Sequence, residues 1–160
     1  MATSLTPGTG FPASFEDALT DVSTTQKHPL GTHRMEGGKV YKYVQYKEGT
    51  AAVDAVAGEI AYYYTLDGYK LNQVTSDLSD SVEIGAGVLQ AVMSDDEYGW
   101  LQIKGAATLT IALTAGADGD PLTPTGSADG TLDVSAAVTD NVCAIAGDIS
   151  DKEIICDFPW

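Results

Sequence analysis

Tyr98-Gly99-Trp100-Leu101-Gln102-Ile103-Lys104-Gly105-Ala106-Ala107-Thr108-Leu109-Thr110-Ile111-Ala112-Leu113-Thr114 is the stretch whose reading decides the fold. Ala107, Leu109, Ile111 and Leu113 fall on one side of a period-two pattern, and Thr108, Thr110 and Thr114 on the other. That period belongs to a strand with one buried face. It puts the aliphatic set in a core and the threonines towards solvent or a neighbour. Gly99 and Gly105 bracket the first part of the strand.

The same signal continues outward in both directions. Upstream, Ser81–Met93 carries two strand pieces around Gly85 and Gly87, where a bulge or bend is expected. Glu59–Leu66 and Tyr69–Val74 flank Asp67-Gly68, a hairpin signal because both residues tolerate positive φ. Lys39–Lys47 is rich in Val and Tyr, which suit a pleated, half-buried surface. Downstream, turns at Gly116–Asp120 and Ser127-Ala128-Asp129-Gly130 separate strands expected at Gly130–Ala136, Val142–Asp148 and Glu153–Phe158. Many short strands spaced by turns predict an all-β domain over residues 39–160, a small antiparallel β-barrel or sandwich. No internal repeat is present.

Residues 1–38 read differently. Pro7-Gly8-Thr9-Gly10, Pro12, Pro29-Leu30-Gly31 and Gly37-Gly38 interrupt any regular pattern. Ser14 can cap one helical turn over Phe15-Glu16-Asp17-Ala18-Leu19. The region is expected to be an extended N-terminal arm with poor contacts to its own core, ordering against a neighbouring subunit. A floppy tail is the duller alternative.

The 160 residues bound one domain, and a chain this size buries roughly 68–70% of its unfolded surface without metal or disulfide. The net charge of −15, with eight Lys and Arg, argues against nucleic acid. The charge is uneven: residues 27–47 hold Lys27, Arg34, Lys39, Lys42 and Lys47 against Glu36, about +4, leaving the remainder near −19. A basic strip on an acidic body could dock on an acidic protein surface; scattered surface lysines are the alternative. No apolar run approaches the roughly 18 residues of a membrane helix, so no membrane partner is expected. Met1-Ala2-Thr3-Ser4 has neither the basic start nor the apolar run of a secretory signal, which points to synthesis in a cytoplasm. Cys143 and Cys156 then read as buried thiols in preference to a disulfide.

Motifs for chemistry are sparse. There is no Gly-x-Ser-x-Gly elbow and no phosphate-cradling loop. Gly85-Ala86-Gly87 lacks the third glycine of a dinucleotide fingerprint, since Gln90 stands there. His28 and His33 have no Cys or His cluster near them, so no metal and no other cofactor is expected. Asp118-Gly119-Asp120 begins like a calcium loop but puts Leu122 and Thr123 at ligand and turn positions. Carboxylate pairs for glycosidase chemistry would need a cleft with stacking aromatics, and Trp100 and Trp160 are the tryptophans. The chain is read as a non-enzyme. The interaction handles are its tyrosines, Tyr41, Tyr43, Tyr46, Tyr62, Tyr63, Tyr64, Tyr69 and Tyr98, which join apolar area to a hydroxyl.

The stretch Tyr98–Ala107, followed by Gly119-Asp120-Pro121-Leu122, resembles the hallmark region of small capsid decoration (cement) proteins of tailed phages. Val53–Gly58, Gly85–Leu89 and His28-Pro29-Leu30-Gly31-Thr32 ahead of Lys39-Val40-Tyr41 fit the same style. The likeness covers about residues 28–125. It implies a virion protein on the capsid exterior, assembled in the host cytoplasm, forming a homotrimer and binding the major capsid protein and neighbouring cement subunits. The residues expected to make those contacts are Phe11, Phe15, Lys27, His28, Arg34, Lys39, Tyr41 and Tyr43. Tyr98, Gly99, Trp100, Gly105, Asp120 and Pro121 are expected to be structural. The competing readings are a carbohydrate- or receptor-binding β-module using Trp100 and the tyrosines, and a hydrolase with acidic catalytic residues.

Overall fold

The computed structural model describes residues 15–65 and 67–160. Among them ten strands form one sheet, antiparallel at every pairing but one. They are β1 (His33–Glu36), β2 (Lys39–Tyr46), β3 (Ile60–Tyr64), β4 (Gln73–Thr75), β5 (Ser81–Leu89), β6 (Tyr98–Thr108), β7 (Pro121–Thr123), β8 (Asp133–Val134), β9 (Ala144–Asp148) and β10 (Glu153–Asp157). A single helical turn, α1 (Gly68–Leu71), joins β3 to β4. The all-β, mainly antiparallel class expected from the sequence is the observed one.

The pairings close a ring. β2 lies beside β4, β4 beside β3, β3 beside β5, β5 beside β6, and β6 beside β2 again. β6 then leaves the ring. Opposite Val40 and Tyr41 of β2 it carries one extra residue, Ile103, and Gly105 two positions on sits at φ +94°. An extra residue bends and twists its strand, so the C-terminal half of β6 leads away and pairs with β10. β9, β7 and β8 follow in order beyond β10.

Two cores result. Val44, Tyr46, Ala61, Tyr63, Val74, Ala86, Leu89 and Leu101 come from all five strands of the ring and fill it. Ile60, Tyr62 and Val88 join Leu122, Ala144, Ala146, Ile154, Cys156 and Phe158 between the ring and the β7–β10 extension. Both faces of β3 are therefore covered. Tyr62 and Tyr63, which point opposite ways, are each fully buried, and Tyr64 is half-exposed. Gly85 makes the second packing possible, because a Cβ there would come within 2.7 Å of Cys143 Sγ and 2.8 Å of Phe158.

Three expectations are revised. β6 ends at Thr108, with Ile111 and Leu113 half-buried in the loop beyond it. Residues 15–19 form a bend and turn, not a helical turn; Ala18 N and the Asp21 carboxylate close it at 3.0 Å. The largest revision concerns the arm. Poor contact with the core does not hold over residues 15–38, which add β1 to the sheet and lie across β2 and β6. Residues 1–14, Phe11 and the capping Ser14 included, lie outside the described residues.

Candidate interaction site

Paired residues of antiparallel strands share a face, so the register Tyr43 opposite Trp100 and Gln45 opposite Tyr98 lines up three aromatics on one side of β2 and β6. Tyr41, two residues before Tyr43, joins them. Left bare, this would be a large apolar patch. Phe15, Leu19 and Leu30 close it, and Tyr41, Tyr43 and Trp100 are 6%, 1% and 0% exposed.

Ring geometry fixes the closure. Phe15 meets Trp100 edge to face at 5.3 Å, and His28 meets Tyr43 the same way at 5.0 Å. The Arg34 guanidinium lies over Phe15 at 5.2 Å and Trp100 at 5.7 Å. Such ring pairs add about 0.5–1.5 kcal/mol each beyond the area they bury.

Asp17 is the polar centre of the cluster. Its carboxylate accepts from the Trp100 indole N–H and meets His28 Nε2, both at 2.9 Å. Arg34 donates to the Asp17 carbonyl at 2.7 Å and pairs with Glu36. Burial works against ionising Asp17, but the hydrogen bonds from Trp100 and His28 outweigh it and hold the carboxyl below its usual range. The main chain is pinned as well: Gly31 N donates to Tyr43 O, Tyr43 N to Thr32 O, and Ser23 bridges Tyr98.

An Asp–His pair invites a catalytic reading, which needs a nucleophile on the other imidazole nitrogen. Among the described residues no Ser, Thr or Cys side chain hydrogen-bonds His28, and its ring is packed against Phe15, Tyr43 and Trp100. The adjoining depression, about 460 Å³ between Glu16, Asp17, Asp21, Lys27 and His28, is open and polar.

Phe15, His28, Arg34, Tyr41 and Tyr43, expected as contact residues, are thus brought together with Tyr98 and Trp100, expected as structural. Lys27 is exposed at the rim, its backbone N–H on the Tyr43 hydroxyl. Lys39 stands apart at the β1–β2 hairpin, against Gly105. Gly99 lies over Met93 Sδ, while Asp120 holds the turn at Ala117 and Pro121 starts β7, away from the cluster. Trp100 offers no face to a sugar. Among the described residues the exposed Phe, Tyr and Trp side chains are Tyr69 and Trp160, Tyr69 against Tyr63 and Trp160 beside His33.

The basic strip is largely consumed internally. Arg34 pairs with Glu36 and Lys47 with Asp96. Lys42 is 3% exposed; its amine donates to the Tyr63 hydroxyl at 2.7 Å and to the Pro159 carbonyl at 3.4 Å, with no carboxylate partner among the described residues. Burial pushes its pKa down to about 8. The sequence reading missed both Asp17 and the burial of Lys42. Asp17 finds its partner 83 positions along the chain, which no local pattern encodes. Lys42 carries a weak signal, an even position between Val40 and Val44 on the inward period.

Both cysteines are buried free thiols, and burial raises both pKa values, that of Cys156 to about 12. Among the described residues no group of three or more His, Cys, Asp or Glu is placed to hold a metal, and no helix is long and apolar enough to cross a membrane. No protein-family model matches the chain, and no curated protein matches it.

Proposed function

We propose that this chain is a capsid decoration protein, a non-enzymatic module that binds the outside of a phage head and stabilises the shell. One observation carries the reading. The Tyr98–Ala107 stretch, on which the resemblance rests, is the hub of the molecule: as β6 it pairs with β2, β5 and β10. The hallmark residues serve architecture, as a mechanical part requires, and the histidine and carboxylates near them are engaged in fastening. The partners in this reading are the major capsid protein and further copies of the chain in a homotrimer. A module that binds only the assembled shell stabilises it by mass action, without chemistry.

Size-exclusion with light scattering, followed by addition of the protein to heads assembled without it, tests the reading. The expected result is a defined oligomer that saturates the heads at fixed stoichiometry and raises their rupture temperature. A monomer that ignores the heads overturns it.

A further inference from the structure

Among the described residues nothing covers the face of the sheet opposite the second core. Ala106 of β6 stands opposite Ile155 of β10, Ile155 opposite Ile145 of β9, and Ile145 opposite Pro121 of β7. Directly paired residues share a face, so these four make one apolar row across four strands. Their sequence neighbours Ala107, Ile154, Ala144 and Leu122 point the other way and are buried. Ile155 is 51% and Ile145 43% exposed, so the solvent face of these strands carries β-branched aliphatics where polar residues usually alternate with the core set.

The row has charged borders of unlike kind. On one side Lys104 and Asp157 pair with each other. On the other, Glu153 stands opposite Asp148, two carboxylates side by side. Asp148 is partly held by Ser150, and Glu153 has no cationic partner among the described residues. A surface that fits this row presents an apolar ridge flanked by Lys or Arg.

Size and charge decide between occupants. Three inter-strand spacings make a row about 14 Å long, which covers on the order of 100 Å². A stable independent pair of proteins buries about 800 Å² per partner. The row therefore suits a weak contact multiplied by an array. The carboxylate border of this row, on a chain of net charge −15, favours a basic surface as its occupant over another acidic one.

We infer that the β6–β10–β9–β7 face, through Ala106, Ile155, Ile145 and Pro121, is the surface that docks onto a basic, apolar-ridged protein face of the shell. The inference rests on the decoration reading and names the side of the module that meets the shell. It leaves the Asp17–Trp100 cluster as an internal fastener.

Heads assembled without the protein are titrated with wild type, the I145T/I155T double variant and E153K. Threonine keeps the β-branch that suits a strand, and melting temperatures check that each variant is folded. The expected result is at least a tenfold weaker half-saturation for I145T/I155T and weaker, less salt-sensitive binding for E153K. A Y69S/L71S control, altering exposed apolar residues of α1, should bind as wild type does. Wild-type binding that both face variants retain overturns the face and leaves the decoration reading standing. Variants that bind heads normally but lose oligomer mass make the face a contact between copies, which also overturns the inference. Wild type that does not bind at all removes both.

Discussion

Two single side chains, Asp17 and Lys42, show how charge is handled inside this molecule, and each yields a measurable consequence. Asp17→Ala leaves the buried Trp100 N–H without an acceptor. An orphaned buried donor costs about 1–3 kcal/mol, so urea unfolding should show a loss of about 2 kcal/mol, with a smaller loss for Asp17→Asn. Asp17 titrates below its ordinary value of 3.8 in the folded chain. Its contribution is present above that value and lost as pH falls through the lower folded pKa. Lys42 works the other way. Its folded pKa of about 8 lies below the ordinary 10.5, so between those values the unfolded chain holds a proton that the native chain does not. Stability then rises with pH across that window. At neutral pH the buried amine costs on the order of 3 kcal/mol. Lys42→Met removes that cost but strands the Tyr63 hydroxyl, so its net gain at pH 7 is small. The informative quantity is the difference between variant and wild type in denaturant unfolding, which should shift in favour of wild type as pH goes from 7 to 10.

At the scale of elements, β2, β9 and β10 were legible because strand-forming and turn residues coincide there, while Ser81–Met93, expected as two strand pieces, holds the single strand β5 over Ser81–Leu89. β1 was not, although its signal was present: Gly37-Gly38 joins His33–Glu36 to Lys39–Lys42 as a two-residue hairpin, with Glu36 opposite Lys39. Prolines and glycines before it made the whole region read as an arm. Both glycines have positive φ, +59° and +75°, as a type I′ turn demands. Nothing lies within 4 Å of a Cβ built on Gly37, so only backbone strain opposes a side chain. Gly37→Val should therefore cost about 1–2 kcal/mol in chemical denaturation, while Gly37→Asn, which tolerates that conformation, should be nearly neutral. Equal losses for both would mean that the hairpin is held by something other than its turn. Asp67 shows a partial success of the same kind. It takes the expected positive φ, but Gly68 then begins a helical turn before β4, because the β3–β4 pairing of Tyr63 with Val74 leaves more than two residues to close.

For the whole molecule, the difference between the legible and the illegible is one of sequence distance. Strand identity is local, whereas ring closure by β2 and β6, and the strap of residues 15–36 across them, depend on pairs dozens of residues apart. This changes what truncation should do. An arm with poor contacts could be removed freely. The observed strap covers Trp100 and Tyr43 with Phe15, Leu19 and Leu30 and supplies Asp17, three partly buried apolar side chains worth on the order of 3 kcal/mol together. Deleting residues 1–36 should lower the melting temperature by many degrees, since about 1 kcal/mol moves a domain of this size by roughly 2–8 °C. In a Trp160→Phe background, which silences the exposed indole, the same deletion should shift Trp100 fluorescence to the red as the ring meets water. Deleting residues 1–14 alone keeps Phe15, Asp17 and Leu30 on Trp100, so its fluorescence should stay at the full-length value. Titrating heads with both truncations then separates grip from fold. If 1–14 holds the neighbouring subunit, its loss should weaken occupancy with the domain intact. Equal occupancy for the 1–14 deletion and the full chain would assign head binding to residues 15–160, within which the I145T/I155T variant tests the β6–β10–β9–β7 face.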